Sequence, residues 1–187
     1  MQSASSLGVR HGDGSYGAPV EGWKTWQRQT ADGAVESEQR AALARPVVEF
    51  STAGAERLGR AYWREVRWLT GSLVRPRERG GALELRLLGG GPVLLRLGRP
   101  TVEASDGRAF CSYPIQGGLL ASRAAGEISF EQTAGSVRST IRGFFPRLAA
   151  REGEPDWTGA LYNQLQSRVH VAISRRYFAR LIAEAGA

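Results

Sequence analysis

The chain has 187 residues, 42% of them apolar and 23% charged, and this length accommodates one domain with a substantial core. The single cysteine, Cys111, excludes an internal disulfide and a cysteine-based zinc site, and the two histidines, His11 and His170, exclude a histidine-rich metal site. The net charge of +7 is carried almost wholly by arginine, because Lys24 is the only lysine. We therefore expect neither a metal nor another cofactor.

The arginine excess has two interpretations. One is an acidic partner such as nucleic acid or anionic lipid, and the other is a GC-rich coding bias that writes arginine in place of lysine. The arginines are scattered, with Arg75, Arg77 and Arg79 the nearest approach to a cluster, and this favours the second interpretation. No recognised RNA-binding signature is present, so nucleic-acid binding is not favoured.

The N-terminal residues lack targeting features. Met1 to Tyr16 contain no apolar core of the kind a signal peptide needs, and no run approaches the roughly 18 apolar residues of a membrane-spanning helix. A cytoplasmic, reduced protein without a membrane span is the expectation.

Residues 1–44 are predicted to form an N-terminal arm that is disordered or loosely docked. Met1 to about Val20 are rich in Gly and Ser and show no periodicity. Glu36–Ala44 is compatible with a short helix. Trp23 and Trp26 either dock on the folded body, contact a partner or cover a cavity.

The folded domain is expected over residues 45–187. It opens with a short strand, Pro46–Ser51, and a helix over Ala53–Leu69. Gly71 ends this helix. Its apolar face carries Leu58, Ala61, Tyr62, Val66 and Leu69, and Glu65 interrupts this face.

Short alternating segments separated by Gly and Pro follow, from Ser72 to Gly143. Spacings of about ten residues between turn signals predict an antiparallel sheet of about six or seven strands rather than β-α-β units. The predicted strands span residues 72–77, 82–88, 93–97, 101–104, 108–113, 127–133 and 137–142, and a short apolar segment over 119–121 precedes the last two.

A long helix over Trp157–Glu184, with Asp156 as its N-cap, is predicted to close the chain. Its main apolar stripe consists of Leu161, Tyr162, Leu165, Val169, Ala172 and Ile173, and Arg176 continues that stripe. Val171, Phe178 and Ile182 form a second strip on the far side. A helix that is apolar on two sides is either buried on both or uses its far side as an interface.

Glu65 and Arg176 both interrupt apolar stripes, and a charge buried alone is costly. The two side chains therefore form an ion pair, face a partly wet cavity, or extend to the surface.

No catalytic motif is present, so the catalytic residues are unknown. The glycine runs Gly89–Gly91 and Gly117–Gly118 lack phosphate-loop spacing and are interpreted as turns. His170 lies about 120° from the centre of the apolar stripe and is expected to be a partly exposed helix residue. Cys111, on a predicted buried strand, is interpreted as a small apolar residue.

The element order from Arg45 to the C-terminus resembles the helix-grip fold of the START/SRPBCC (polyketide cyclase-like, Bet v 1-like) superfamily. Pro46–Ser51 would be its first strand, Ala53–Leu69 the following helix and Trp157–Glu184 the gripped helix. The segment Tyr113–Leu120 looks like a strand and turn of some bacterial members. The resemblance implies an α+β fold in which a curved antiparallel sheet wraps around the C-terminal helix and encloses a hydrophobic cavity. Members bind lipids, sterols, polyketides or hormones there, and no catalytic residue carries over.

The expected function is binding of a small, largely hydrophobic or amphipathic molecule in that cavity, with an acidic ligand group near Arg176. The alternatives are a cyclase- or hydrolase-like enzyme using Glu65 or His170, and an interaction protein, including a homodimer, using the Trp23/Trp26 arm and the second helix strip. The expected ligand-binding residues are Phe110, Tyr113, Leu165, Val169, Ile173, Arg176 and Glu65.

Overall fold

A computed structural model gives the fold of residues 20–147 and 157–186, with side chains in the second range from Val169 onward. These residues form an α+β fold with a nine-stranded antiparallel sheet and a C-terminal helix, and the predicted fold class is confirmed at that level. In chain order the elements are β1 (Lys24–Gln29), β2 (Val35–Ala42), α1 (Thr52–Leu69), β3 (Val74–Arg79), β4 (Ala82–Leu87), β5 (Val93–Leu97), β6 (Thr101–Ser105), β7 (Arg108–Gly117), β8 (Glu127–Thr133), β9 (Ser136–Phe144) and α2 (Trp157–Gly186).

The sheet is continuous because β7 is long enough to pair with three strands. The strand order is β1-β2-β9-β8-β7-β5-β4-β3, and β6 also pairs with β7. One side of β7 pairs with β8 over residues 108–114. On its other side, residues 108–112 pair with β6, whereas Ile115 and Gly117 pair with β5.

Both helices pack on the same face of the sheet. Tyr62 of α1 and Tyr177 of α2 each contact the ring of Phe130 on β8, with centroid distances of 4.7 and 5.8 Å. Helix α1 approaches β7 closely at Gly59, where an added Cβ would lie 2.5 Å from the Tyr113 hydroxyl. The buried face of α2 carries Ile173, Ser174, Tyr177, Phe178 and Leu181.

The segment before α1 is fixed by a side chain from the sheet. The buried amide of Gln132 on β8 accepts hydrogen bonds from the backbone N–H groups of Val47 and Val48, both at 2.8 Å. It also donates to the carbonyl of Val48 at 2.7 Å. Ser51 then caps α1 by accepting from the Gly54 N–H.

The hydrogen bonds to Gln132 explain why the predicted strand over Pro46–Ser51 is wrong. This amide supplies the partners that a neighbouring strand would supply, so the segment stays irregular. The segment over residues 119–121 forms no strand, because Gly117 and Gly118 adopt φ angles of 126° and 122° that end the extended backbone. The strand predicted over residues 108–113 is longer in the structure, where β7 continues through Pro114 to Gly117.

Residues 24–42, assigned above to an arm, form the hairpin β1–β2, and β2 pairs with β9. The predicted helix over Glu36–Ala44 is therefore wrong. Every second residue of β2 from Ser37 to Ala41 is buried, which is strand periodicity. Two of these three residues are polar, Ser37 and Gln39, and this hid the alternation. Residues 1–19 lie outside the described residues.

The predicted helices over Ala53–Leu69 and Trp157–Glu184 are confirmed as α1 and α2. Asp156 lies outside the described residues, as do the side chains of Leu161, Tyr162 and Leu165. Phe178, placed above on the far strip of α2, is fully buried. Among the described residues, no helix combines the length and apolar character needed to cross a bilayer.

Candidate functional site: a cavity between the sheet and the helices

A cavity of about 250 Å³ lies between the sheet and the two helices. Its wall is mainly apolar and comes from both layers, including Leu85, Leu95, Ile115 and Ile128 of the sheet and Val66 and Ile173 of the helices. A few polar residues also line it: Gln27, Gln29, Ser37, Tyr62, Thr70 and His170. An apolar wall with a small number of polar groups is typical of small-molecule sites.

Tyr62 and His170 form a hydrogen-bonded pair in the cavity wall, with 2.7 Å between Tyr62 Oη and His170 Nδ1. Burial raises the pKa of Tyr62, so the phenol stays protonated. Burial also lowers the pKa of His170 to about 4, so the imidazole is neutral near pH 7. With the phenol as donor, Nδ1 accepts and the ring hydrogen lies on Nε2.

Three residues that line the cavity carry a buried polar atom without a hydrogen-bond partner among the described residues. The atoms are Nε2 of His170, Oγ of Ser37 and Nε1 of Trp63. Ser37 as a whole is only 2% exposed. An unpaired buried polar atom costs about 1–3 kcal/mol, so these three groups call for an explanation.

A neighbouring polar group, by contrast, is fully connected. Ser139 Oγ donates to Gln39 Oε1 at 3.2 Å and lies 3.1 Å from Ser174 Oγ, which is 3.4 Å from the same Gln39 oxygen. All three side chains are fully buried. They join β2, β9 and α2 without lining the cavity.

The structure places the predicted binding residues at different sites. Val169 and Ile173 line the cavity, and the side chain of Leu165 lies outside the described residues. Tyr113 is buried against Trp63, at 5.3 Å between ring centroids, behind the lining. Phe110 lies on the opposite face of β7, since positions three apart on a strand point to opposite faces, and the Arg108 guanidinium stacks on its ring.

Glu65 and Arg176 form an ion pair between the helices, the first of the three alternatives stated above. Arg176 Nε lies 2.7 Å from Glu65 Oε2, and Arg180 Nη1 lies 3.2 Å from Oε1. The Glu65 side chain is fully buried, and the Arg176 guanidinium stacks on the ring of Trp68. Neither Glu65 nor Arg176 lines the cavity.

The tryptophans of the predicted arm occupy different environments. Trp23 packs edge-on against Phe178, with ring centroids 5.7 Å apart, so it is a partly buried residue that packs against the core beside α2. Trp26 on β1 is 44% exposed and lies beneath the Arg28 guanidinium. The two side chains therefore do not form one shared contact surface.

Sequence reasoning did not assign Ser37 or Tyr62 to the cavity. His170 is a partly exposed helix residue, as expected, but its place in the cavity lining was not predicted. One signal was available for His170. It precedes Ser174 by four residues and Tyr177 by seven, which places all three on one helix face. A polar line running along the buried face of a helix marks a hydrogen-bonded network or a polar spot in a cavity.

A second hollow, of about 330 Å³, lies beside the last turn of α2 and is lined by residues such as Glu21, Arg45 and Ile182. It has no buried unpaired polar atom among the described residues that line it. The cavity between sheet and helices is therefore the better candidate site.

Comparison with known proteins adds no assignment. No protein-family model matches the chain, and no curated protein matches its sequence. Among the described residues, no group of three or more His, Cys, Asp or Glu side chains is arranged to hold a metal ion. Inference about function therefore starts from the cavity.

Proposed function

We propose that the protein binds a small, largely apolar molecule in the cavity between the sheet and the helices. The observation that carries this proposal is a space of about 250 Å³ whose wall is mainly aliphatic and aromatic. An apolar protein cavity of about 150 Å³ accommodates benzene, so by proportion this one accommodates about ten non-hydrogen atoms. Burial of that apolar surface would drive binding.

The proposal extends to a helix-grip fold of the START/SRPBCC type. The support is the element order: a strand, a helix, a run of antiparallel strands and a long C-terminal helix. In this correspondence β2 is the first strand, the position assigned above to Pro46–Ser51. The cavity lies between the sheet and the helix layer to which the C-terminal helix contributes. Strand β1 is an addition at the sheet edge in this correspondence.

A cavity-filling substitution tests the binding proposal. Val66 lines the cavity from α1, and Val66→Phe would occupy part of the space. We expect n-butylbenzene to bind the wild type in isothermal titration calorimetry and to bind Val66→Phe at least tenfold more weakly. Leu73→Phe is the matched control, because Leu73 is 55% exposed and does not line the cavity. Absence of binding to a folded wild type would contradict the proposal.

Native mass spectrometry complements this test, since a natural ligand of slow dissociation would co-purify with the wild type. Its mass gives the ligand class directly. Val66→Phe, purified in parallel, should lack the adduct, and Leu73→Phe should retain it.

A cyclase- or hydrolase-like enzyme on the same fold is the second candidate function. The observation that favours it is His170, which lines the cavity and is hydrogen-bonded to Tyr62. A pKa near 4 makes this imidazole a weak base at neutral pH, which is why binding is proposed first. Conversion of the co-purified ligand by the wild type but not by His170→Asn would favour the enzyme.

A further inference from the structure

Ser37 and His170 both line the cavity, and the relative direction of β2 and α2 indicates that they lie on the same side of it. Gln39 of β2 contacts Ser174 of α2. Further along both elements, Trp23, which lies beside the end of β2, contacts Phe178. Strand β2 and helix α2 therefore run side by side in the same direction.

Towards the N-terminal end of both β2 and α2, the buried face passes from the hydrogen-bonded group of Gln39, Ser139 and Ser174 to the cavity. Ser37 lies two residues before Gln39 on β2, a distance of about 7 Å along the strand. His170 lies one helical turn before Ser174 on α2, a distance of about 6 Å along the helix axis. The Gln39–Ser174 pair is closed by direct hydrogen bonds with Ser139. At Ser37 and His170 the cavity intervenes, and each side chain has a buried polar atom without a partner in the described part of the chain.

We propose that a neutral oxygen of the ligand, a hydroxyl or carbonyl group, completes this second pair by bonding to His170 Nε2 and Ser37 Oγ. This inference rests on the proposed binding function and names the ligand class. The ligand is an apolar molecule with one uncharged oxygen-bearing head. His170 Nε2–H donates to that oxygen, and the Ser37 hydroxyl donates or accepts as the head requires.

The head is uncharged because both of its partners are uncharged. Tyr62 holds the imidazole through Nδ1, and burial keeps the ring neutral. A carboxylate bound here would lose its hydration and gain no opposite charge from either group. Arg176, the cation expected above to meet an acidic head, is engaged by Glu65 and Trp68 away from the cavity.

Calorimetry with three probes of similar size tests this proposal: 1-octanol, octanoate and n-butylbenzene. We expect the wild type to bind 1-octanol more tightly than octanoate. We also expect Ser37→Ala and His170→Asn each to weaken 1-octanol binding by about three- to tenfold and to weaken n-butylbenzene binding by a clearly smaller factor. The side-chain amide of Asn lies near the position of the histidine Nδ1 and can keep the hydrogen bond to Tyr62. The longer side chain of Gln places its amide near the position of the histidine Nε2. His170→Gln is therefore expected to recover most of the affinity for 1-octanol.

Ser139→Ala is the matched control, because it alters the closed group and leaves the cavity lining intact. It is expected to lower stability without changing the ratio of 1-octanol to n-butylbenzene affinity. The inference on the ligand head fails if octanoate binds more tightly than 1-octanol, or if Ser37→Ala and His170→Asn weaken both neutral probes equally or neither of them. If no probe binds the folded wild type, the binding function itself fails.

Discussion

At the scale of single residues, the charged and polar groups of the buried helix faces have separate roles. Glu65 is fully buried and is compensated by Arg176 and Arg180, whereas His170 is kept neutral. The sequence showed that Glu65 and Arg176 each interrupt an apolar stripe, and the cost of a lone buried charge made an ion pair one of three alternatives. It did not show that the pair lies apart from the cavity, because that depends on how α1 and α2 are rotated about their axes.

Arg176→Leu is expected to lower the free energy of unfolding by about 2 kcal/mol, because it removes a charged hydrogen bond to the buried Glu65 carboxylate. The carboxylate keeps Arg180 as its other partner. Chemical denaturation measures the change. Arg60→Leu is the control, because Arg60 pairs with Glu56 on the surface and its loss is expected to cost about 0.5 kcal/mol or less. Equal stability of Arg176→Leu and the wild type would contradict a paired, buried guanidinium.

The depressed pKa of His170 predicts how stability depends on pH. At a pH above 6.5, the ordinary pKa of histidine, the ring of His170 is mainly neutral in both the folded and the unfolded chain. As the pH falls from 6.5 towards 4, the unfolded chain takes up the proton and the folded chain does not, so stability falls by up to about 1.4 kcal/mol per pH unit. The difference in unfolding free energy between the wild type and His170→Gln isolates this effect. An identical difference at pH 7 and pH 5 would contradict it.

At the scale of elements, sequence periodicity predicted the helices and strands whose buried face is apolar. The leucines of β4 and the stripe of α1 have the periods of a strand and a helix, and both elements are found as predicted. Strand β2 was missed because its buried face begins with two polar residues, Ser37 and Gln39, and the partner of Gln39 is Ser139, 100 residues away in sequence. The polar part of the candidate site lies on that missed strand, whereas Val169 and Ile173 lie on a predicted apolar stripe.

Gln132→Leu is expected to destabilise the protein by at least about 3 kcal/mol. The substitution leaves the N–H groups of Val47 and Val48 and the Val48 carbonyl without their present partner in a buried setting. Gln116→Leu on the exposed face of β7 is the control, with an expected change of about 0.5 kcal/mol or less. Urea denaturation of both variants checks this, and comparable midpoints would overturn it.

At the scale of the whole molecule, the cavity is bounded by the sheet and both helices, so its occupant couples the two layers. A ligand that binds only the folded chain raises the free energy of unfolding by about 2.7 kcal/mol at a concentration of 100 times Kd. For a chain of this size the melting temperature should rise by about 5–10 °C. Thermal unfolding with n-butylbenzene measures the rise, and Val66→Phe is expected to show almost none. An unchanged melting temperature of the wild type at that concentration would contradict binding to the folded state.

The pairing of β2 with β9 also bears on the order in which this chain acquires its structure. Gln39 and Ser139 meet across 100 residues of sequence, so the hairpin β1–β2 leaves the ribosome long before its partner strand is made. Contacts of this separation form slowly because the intervening chain must first be closed into a loop. His170 emerges later still. The pocket is thus assembled from the earliest and the latest parts of the described chain, and it becomes competent to take up a ligand only after α2 has been synthesised.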